Sequence, residues 1–216
     1  MQRRLILLRH GETLYNATRR MQGQLDTELS ERGRAQAHAA AEDLRHLGIN
    51  KIVSSDLMRA KVTADVVAAD LGLEVVVDKR LRETHLGQSQ GKTHEEVDTA
   101  HDGARALWRT DPTWAPPEGE SRIDVAQRSR EVVMELMRDH DEWDNAAVLL
   151  VAHGGTIAAL TATLLGLQVS QYPLFKGLGN ANTSRLVAMP CIDDDTKTQW
   201  YIEAWNRGRN LSLIHI

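Results

Sequence analysis

The chain has 216 residues, 42% of them hydrophobic and 26% charged, and a net charge of −4. This fits one domain with a substantial core, and it gives no support to a nucleic-acid partner, so any anion site must be a local cluster of cations. The single cysteine, Cys191, cannot close an internal disulfide, which favours a reducing, cytoplasmic setting, and the apolar run behind Arg3 and Arg4 is too short for a signal peptide.

The first predicted strand, residues 3–8, runs straight into Arg9-His10-Gly11-Glu12-Thr13. Burying an arginine and a histidine at a strand end without purpose is costly, so the position reads as a site. Ser30 is placed to cap a helix through AQAHAAAEDLRHL that Gly48 ends. A strand at 51–54 leads to Ser54-Ser55; Ser55 or Asp56 caps the next helix, which carries Arg59 in its first turns and ends near Gly72. After a strand at 74–77, residues 84–120 form a helical insertion placed to act as a lid, and the proline-rich stretch 111–121 is an ordered loop within it. Ser121 caps a helix whose apolar face is Ile123, Val125, Val132, Val133, Leu136 and Met137. Residues 146–175 contain no Asp, Glu, Lys or Arg, a length that could cross a bilayer. His153-Gly154-Gly155 inside that run argues instead for a strand at 146–152, a glycine turn and a helix, and against a membrane. Strands at 183–189 and 199–204 complete the pattern, with residues 1–210 as the domain and the apolar LSLIHI, 211–216, as a tail assigned nothing.

Strand–helix alternation with uninterrupted apolar strands predicts an α/β fold, a three-layer α/β/α sandwich on a mostly parallel sheet. Ligands in such sheets bind beyond the carboxyl ends of the strands, where Arg9-His10, Ser54-Ser55 and His153 fall. This set matches the needs of a phosphate ester. Arg9, Arg59 and a protonated His153 can hold the dianion. Neutral His10 can attack phosphorus, its ring fixed through the backbone at Gly11. Glu83 can protonate the leaving alkoxide, and Asn16 can donate to the phosphate. Singly, each has a plainer reading: Arg59 as a solvated salt bridge, Glu83 as a surface charge. The case rests on the set. Other patterns are weaker. GQSQGKT, residues 87–93, is one residue short of a P-loop. Cys191 lacks the arginine of a thiol phosphatase loop, and His85, His94 and His101 have no metal-ligand spacing. Asp193–Asp195 reads as a solvated turn.

In order and spacing, RHGET with Asn16, SSDLMRAKVTA, LRETHLG and VAHGG resemble the histidine phosphatase superfamily, also called phosphoglycerate mutase-like. The resemblance runs to about residue 205. It implies that His10 is the phosphorylated nucleophile, that Glu83 is the proton donor, and that Arg9, Arg59, His153 and Asn16 form the phosphate pocket, with no metal or other cofactor. Gln22, Gly23 and Gly154 are added as substrate neighbours, with Glu12, Gln24, Trp108 and Trp114 as further candidates. RMQGQLDTELSERGRAQA and DPTWAPPEGESRIDVAQRSR are similar to a bacterial branch that dephosphorylates a glucosylated phosphoglycerate in the cytosol as a homodimer, at an early step toward methylglucose lipopolysaccharides. Residues 88–89 depart from it: Gln-Ser stands where many relatives carry an acidic residue and a large apolar one. The alternatives are a broad-specificity phosphatase, a mutase of the same chemistry, and a non-catalytic phospho-ligand binder. The RETHLG stretch, in place of an RHYG-type sequence, favours hydrolysis over the mutase.

Overall fold

A computed structural model of the protein describes residues 2–100, 102–191 and 197–209. Its centre is β1 (Arg3–Arg9), in which Leu5, Leu7 and Leu8 are completely buried. Side chains alternate across a strand, so Leu5 and Leu7 enter one core while Ile6 and Leu8 enter the other. β2 (Ile49–Ser54), β3 (Val75–Val77), β4 (Ala147–Ala152), β5 (Thr183–Pro190) and β6 (Thr198–Arg207) join it in the order β3-β2-β4-β1-β5-β6. The pairs from β3 through β1 are parallel, and β5 alone runs against the rest. All six predicted strands are present, with β2 starting earlier and β6 ending later than the sequence pattern suggests.

Helices cover both faces. α1 (Leu14–Ala17) is a single turn capped by Thr13. α2 (Glu31–Leu44), capped by Ser30, and α3 (Met58–Leu71) lay Ala40, Ala41, Ala60, Ala64 and Ala68 against Ile6, Leu8, Leu149 and Val151. Between residues 84 and 120 lie two short helices, α4 (His94–Ala100) and α5 (Ala104–Thr110). α6 (Arg122–Asp139) and α7 (Gly154–Leu164) cover the other face through Val132, Val133, Leu136, Ile157 and Leu160. Ser121 caps α6 as predicted, in a reciprocal box with Asp124.

The cap of α3 differs from the sequence reading. Its N-cap is Leu57, and the Met58 N–H is satisfied from a distant loop by Asp26 Oδ1 at 2.7 Å. Asp56 is occupied by Arg82, and Ser55 by His153. α2 likewise ends at Leu44, before Gly48 is reached. The charge-free stretch after Ala146 divides into β4 and α7, and no helix among the described residues is long and apolar enough to cross a membrane. GQSQGKT opens with a 3-10 turn, Gly87–Ser89, not the strand–loop–helix of a nucleotide site. Asp193–Asp195, His101 and the tail 211–216 lie outside the described residues.

Candidate active site

Strand register builds the site. Leu8 and Arg9 of β1 pair with Val151 and Ala152 of β4, so the next residue of each strand, His10 and His153, emerges at the same level. Ser54 of β2 pairs with Val151 on the other side, which brings Ser55 alongside them. The two imidazoles are buried with ring centroids 5.1 Å apart.

His10 Nδ1 lies 2.7 Å from the carbonyl oxygen of Gly11. A carbonyl only accepts, so the proton sits on Nδ1 and the Nε2 lone pair is left free. The turn at Gly11 is tight: a side chain there would meet the Gly33 carbonyl at 2.3 Å, which seats the loop directly on α2. The Gly11 N–H donates to Thr63 Oγ1, which in turn donates to the carbonyl of Arg59.

Arg59 is 1% exposed, unlike the solvated pair of its plainer reading, and among the described residues it has no carboxylate hydrogen-bond partner. The carbonyls of Leu25 (2.8 Å) and Gly23 (2.7 Å) hold its two terminal nitrogens, and its Nε is buried without a partner. Burial lowers its pKa to about 10, which leaves it charged at neutral pH. Gly23 therefore acts through Arg59. Its φ of +55° favours glycine, and a side chain there would strike Gln90 at 2.4 Å. Arg9 donates to the carbonyl of Leu178, and its buried Nε is likewise unpartnered. The carbonyl clamps leave both guanidinium groups donors for an anion.

Glu83 is held through both carboxylate oxygens. Oε2 accepts from the Gly155 N–H at 3.1 Å and Oε1 from the Thr84 N–H at 2.8 Å. Gly155, rather than Gly154, is the glycine that this contact requires, because a Cβ there would lie 2.5 Å from Glu83 Oε1. Gly154 instead packs beside the Arg9 guanidinium. Asn16 Oδ1 accepts from Thr13 and from Asn180 Nδ2 (3.1 Å), which leaves its amide hydrogens for a ligand. Gln22 is buried, with Oε1 taken by Thr13 and Thr27. Glu12 turns away to Ser30 and Arg32. Gln24 donates to the Glu83 carbonyl. Trp108 and Trp114 pack within the insertion with Met21, Leu86 and Pro116. Gln88 reaches Glu118 at 3.3 Å, and Ser89 is buried.

Four further residues have no role in the sequence reading, although it places Ser55 at a strand end beside the site. Asn180, from the loop before β5, donates to the His10 carbonyl at 3.2 Å as well as to Asn16. Ser55 Oγ lies 2.9 Å from His153 Nε2. Arg128 grips the carbonyls of Arg80, Arg82 and Glu83 while paired with Glu120, fixing the segment that carries Glu83. Arg122 is half-buried over the ring of Trp108, where burial lowers its pKa and the Glu83 carboxylate opposes that shift. Among the described residues no three His, Cys, Asp or Glu side chains are grouped for a metal ion.

Burial first, then Arg59, hold both His10 and His153 well below the ordinary histidine pKa of 6.5. Burial and Arg59 thus favour neutral His153, and the protonated form that the sequence reading uses to hold the phosphate is favoured by the dianion itself. The folding consequence has a definite sign. As pH falls through 6.5 the unfolded chain binds protons that these two folded histidines refuse, so stability present above 6.5 is lost downward, with a slope for each that approaches about 1.4 kcal/mol per pH unit well below 6.5. Urea unfolding between pH 7.5 and 5.5 checks this: averaged over that range, the slope of stability against pH should flatten by about half a proton in His153→Asn, or about 0.7 kcal/mol per pH unit. An unchanged slope would contradict it.

The family model of the histidine phosphatase superfamily (branch 1) matches residues 5–207, and the chain belongs to that superfamily. It is 52% identical over 216 residues to the glucosyl-3-phosphoglycerate phosphatase of Mycobacterium tuberculosis (strain CDC 1551 / Oshkosh), covering 97% of each chain. The solved mycobacterial enzyme of that name in complex with VO3 superposes with a TM-score of 0.91 at 52% identity, over 95% of this chain and 100% of that one. A protein of Erwinia tasmaniensis named as a probable phosphoglycerate mutase is 34% identical over 200 residues, or 92% of this chain and 88% of its own.

Proposed function

We propose that the protein is a metal-independent phosphomonoesterase that hydrolyses glucosyl-3-phosphoglycerate to glucosylglycerate and phosphate through a phosphohistidine. The observation that carries the chemistry is the neutral His10, its Nδ1 on the Gly11 carbonyl and its Nε2 free among Arg9, Arg59 and His153. Substrate phosphate takes the unpaired donors of Arg9 and Arg59, with Asn16 and Gln22 offering amide hydrogens and His153 gaining charge as the dianion enters. His10 Nε2 forms a bond to phosphorus as the bond to the ester oxygen breaks, and Glu83 gives its proton to the departing alkoxide. Water then attacks phosphorus, Glu83 takes the proton back, and the N–P bond breaks to release inorganic phosphate. Electrostatics and positioning supply most of the acceleration. The insertion at 84–120 serves as the lid of a single domain. Antiparallel contacts of Met21 with Gly91 and Lys92 seat it on the loop that holds Arg59.

Identity of 52% over nearly the full length, against 34% for the mutase-named relative, supports the glucosyl ester as substrate. From the sequence resemblance to the bacterial branch described above, we further propose a cytoplasmic homodimer acting early in the assembly of methylglucose lipopolysaccharides. The test is phosphate release, without added metal, from glucosyl-3-phosphoglycerate, 3-phosphoglycerate and p-nitrophenyl phosphate. A kcat/KM at least tenfold higher on the glucosyl ester is expected. Equal rates on all three would remove the substrate assignment while leaving the chemistry, and conversion of 3-phosphoglycerate to its 2-isomer would establish the mutase instead.

A further inference from the structure

Arg122 is the first residue of α6, directly after the cap Ser121. Its guanidinium lies 5.4 Å over the Trp108 ring of α5, half-buried, and makes no hydrogen bond or ion pair with the described residues. That sets it apart from Arg80, Arg82 and Arg128 nearby, each of which meets a carboxylate. A partly desolvated cation with open donors is costly to keep unless something fills them. The aromatic face favours a cation there and holds the planar fork in one orientation, leaving its edge for an anion.

Its place relative to the reaction is informative. The backbone brings Arg122 beside the proton donor: Glu120, two residues before it, donates its N–H to the carbonyl of His85, two residues past Glu83, and accepts the His85 N–H at Oε2, and the Glu83 carboxylate acts on Arg122. The cations that act most strongly on His10 are Arg59 and Arg9, and Arg122 is not among them. Arg122 thus stands by the proton donor, while Arg9 and Arg59 act on the nucleophile. In an in-line displacement the leaving oxygen lies between phosphorus and the acid that protonates it, so the rest of the leaving alcohol extends past Glu83, towards Arg122.

We infer that Arg122, held over Trp108 beside Glu83, receives a carboxylate carried by the leaving alcohol, and so selects phosphate esters of hydroxy acids over esters of neutral alcohols. This rests on the phosphomonoesterase reading but not on the glucosyl group. Arg122 is a specificity residue that touches the leaving group and takes no part in proton or phosphoryl transfer.

The test compares 3-phosphoglycerate with glycerol 3-phosphate, which replaces the carboxylate with a hydroxymethyl group. Arg122→Met keeps an unbranched stem against Trp108 and removes the charge; Arg122→Lys keeps a charge without the fork. Wild-type enzyme is expected to prefer 3-phosphoglycerate. Arg122→Met should lose about 10–100-fold in kcat/KM on that substrate, as for one charged hydrogen-bonded contact, and less than about threefold on glycerol 3-phosphate, with Arg122→Lys between. Equal losses on both substrates, no loss on either, or no wild-type preference would overturn the inference. If the wild type releases phosphate from neither, the phosphomonoesterase reading is what has failed. The dissociation constants of the two ligands, measured by calorimetry on wild type and Arg122→Met, then decide: a carboxylate preference lost in the variant supports the assignment, and one that is absent or unchanged refutes it.

Discussion

Replacing His10 with alanine should abolish turnover, with kcat falling by about a million-fold, the scale seen when a hydrolase loses its nucleophile. The size follows from the geometry. His153, the other buried imidazole of the pocket, has its Nε2 engaged with Ser55. The bond of Nδ1 to Gly11 also fixes which nitrogen reacts. Rapid alkaline quenching of wild type during turnover should trap phosphate on Nε2, readable by phosphorus NMR, and the alanine variant should trap none. A variant retaining even a tenth of the rate, or label on Nδ1, would show that the nucleophile is misassigned.

Much of this arrangement was legible in the sequence because parallel-sheet chemistry puts function at strand ends, and apolar strands are easy to see. β1 and β4 each run into a histidine, and their register does the rest. The residues that were missed are those whose partners are far away in the chain. Asn180 reaches His10 across 170 positions and carries no local pattern. Arg128 looks like an outward charge on an amphipathic helix until the backbone of residues 80–83 is laid beside it. Gly155 is distinguished from Gly154 only by the approach of Glu83. Ser55 was placed at the site, and its bond to His153 could have been read as well, since adjacent parallel strands ending together place their next residues side by side. The cap of α3 could not: local propensity names Ser55 and Asp56, but His153 and Arg82 claim both, and Asp26 takes the backbone donor. The charge of His153 before a dianion is bound is not legible either. Sequence shows a histidine near a phosphate site, whereas its charge depends on burial and on Arg59.

Arg59→Ala should cost about 100–1,000-fold in kcat, or about 2.7–4 kcal/mol, if its loss resembles that of one preorganised oxyanion donor. The guanidinium is preorganised in that sense: the carbonyls of Gly23 and Leu25 fix its plane, and its unpaired Nε is already stripped of water. Arg59→Lys should recover little, since one ammonium cannot span both carbonyls and still present a fork to phosphate. A second consequence separates this role from simple packing. Arg59 is the strongest charge holding both His10 and His153 neutral, so its removal should raise both histidine pKa values. A protonated His10 has no lone pair to attack with. The acid limb of the pH–rate profile should therefore move to higher pH in Arg59→Ala, and the deficit against wild type should be larger at pH 5.5 than at pH 8. A uniform deficit across that range would mean that Arg59 does not set the charge state of the nucleophile, and a loss under tenfold at every pH would remove it from the phosphate pocket.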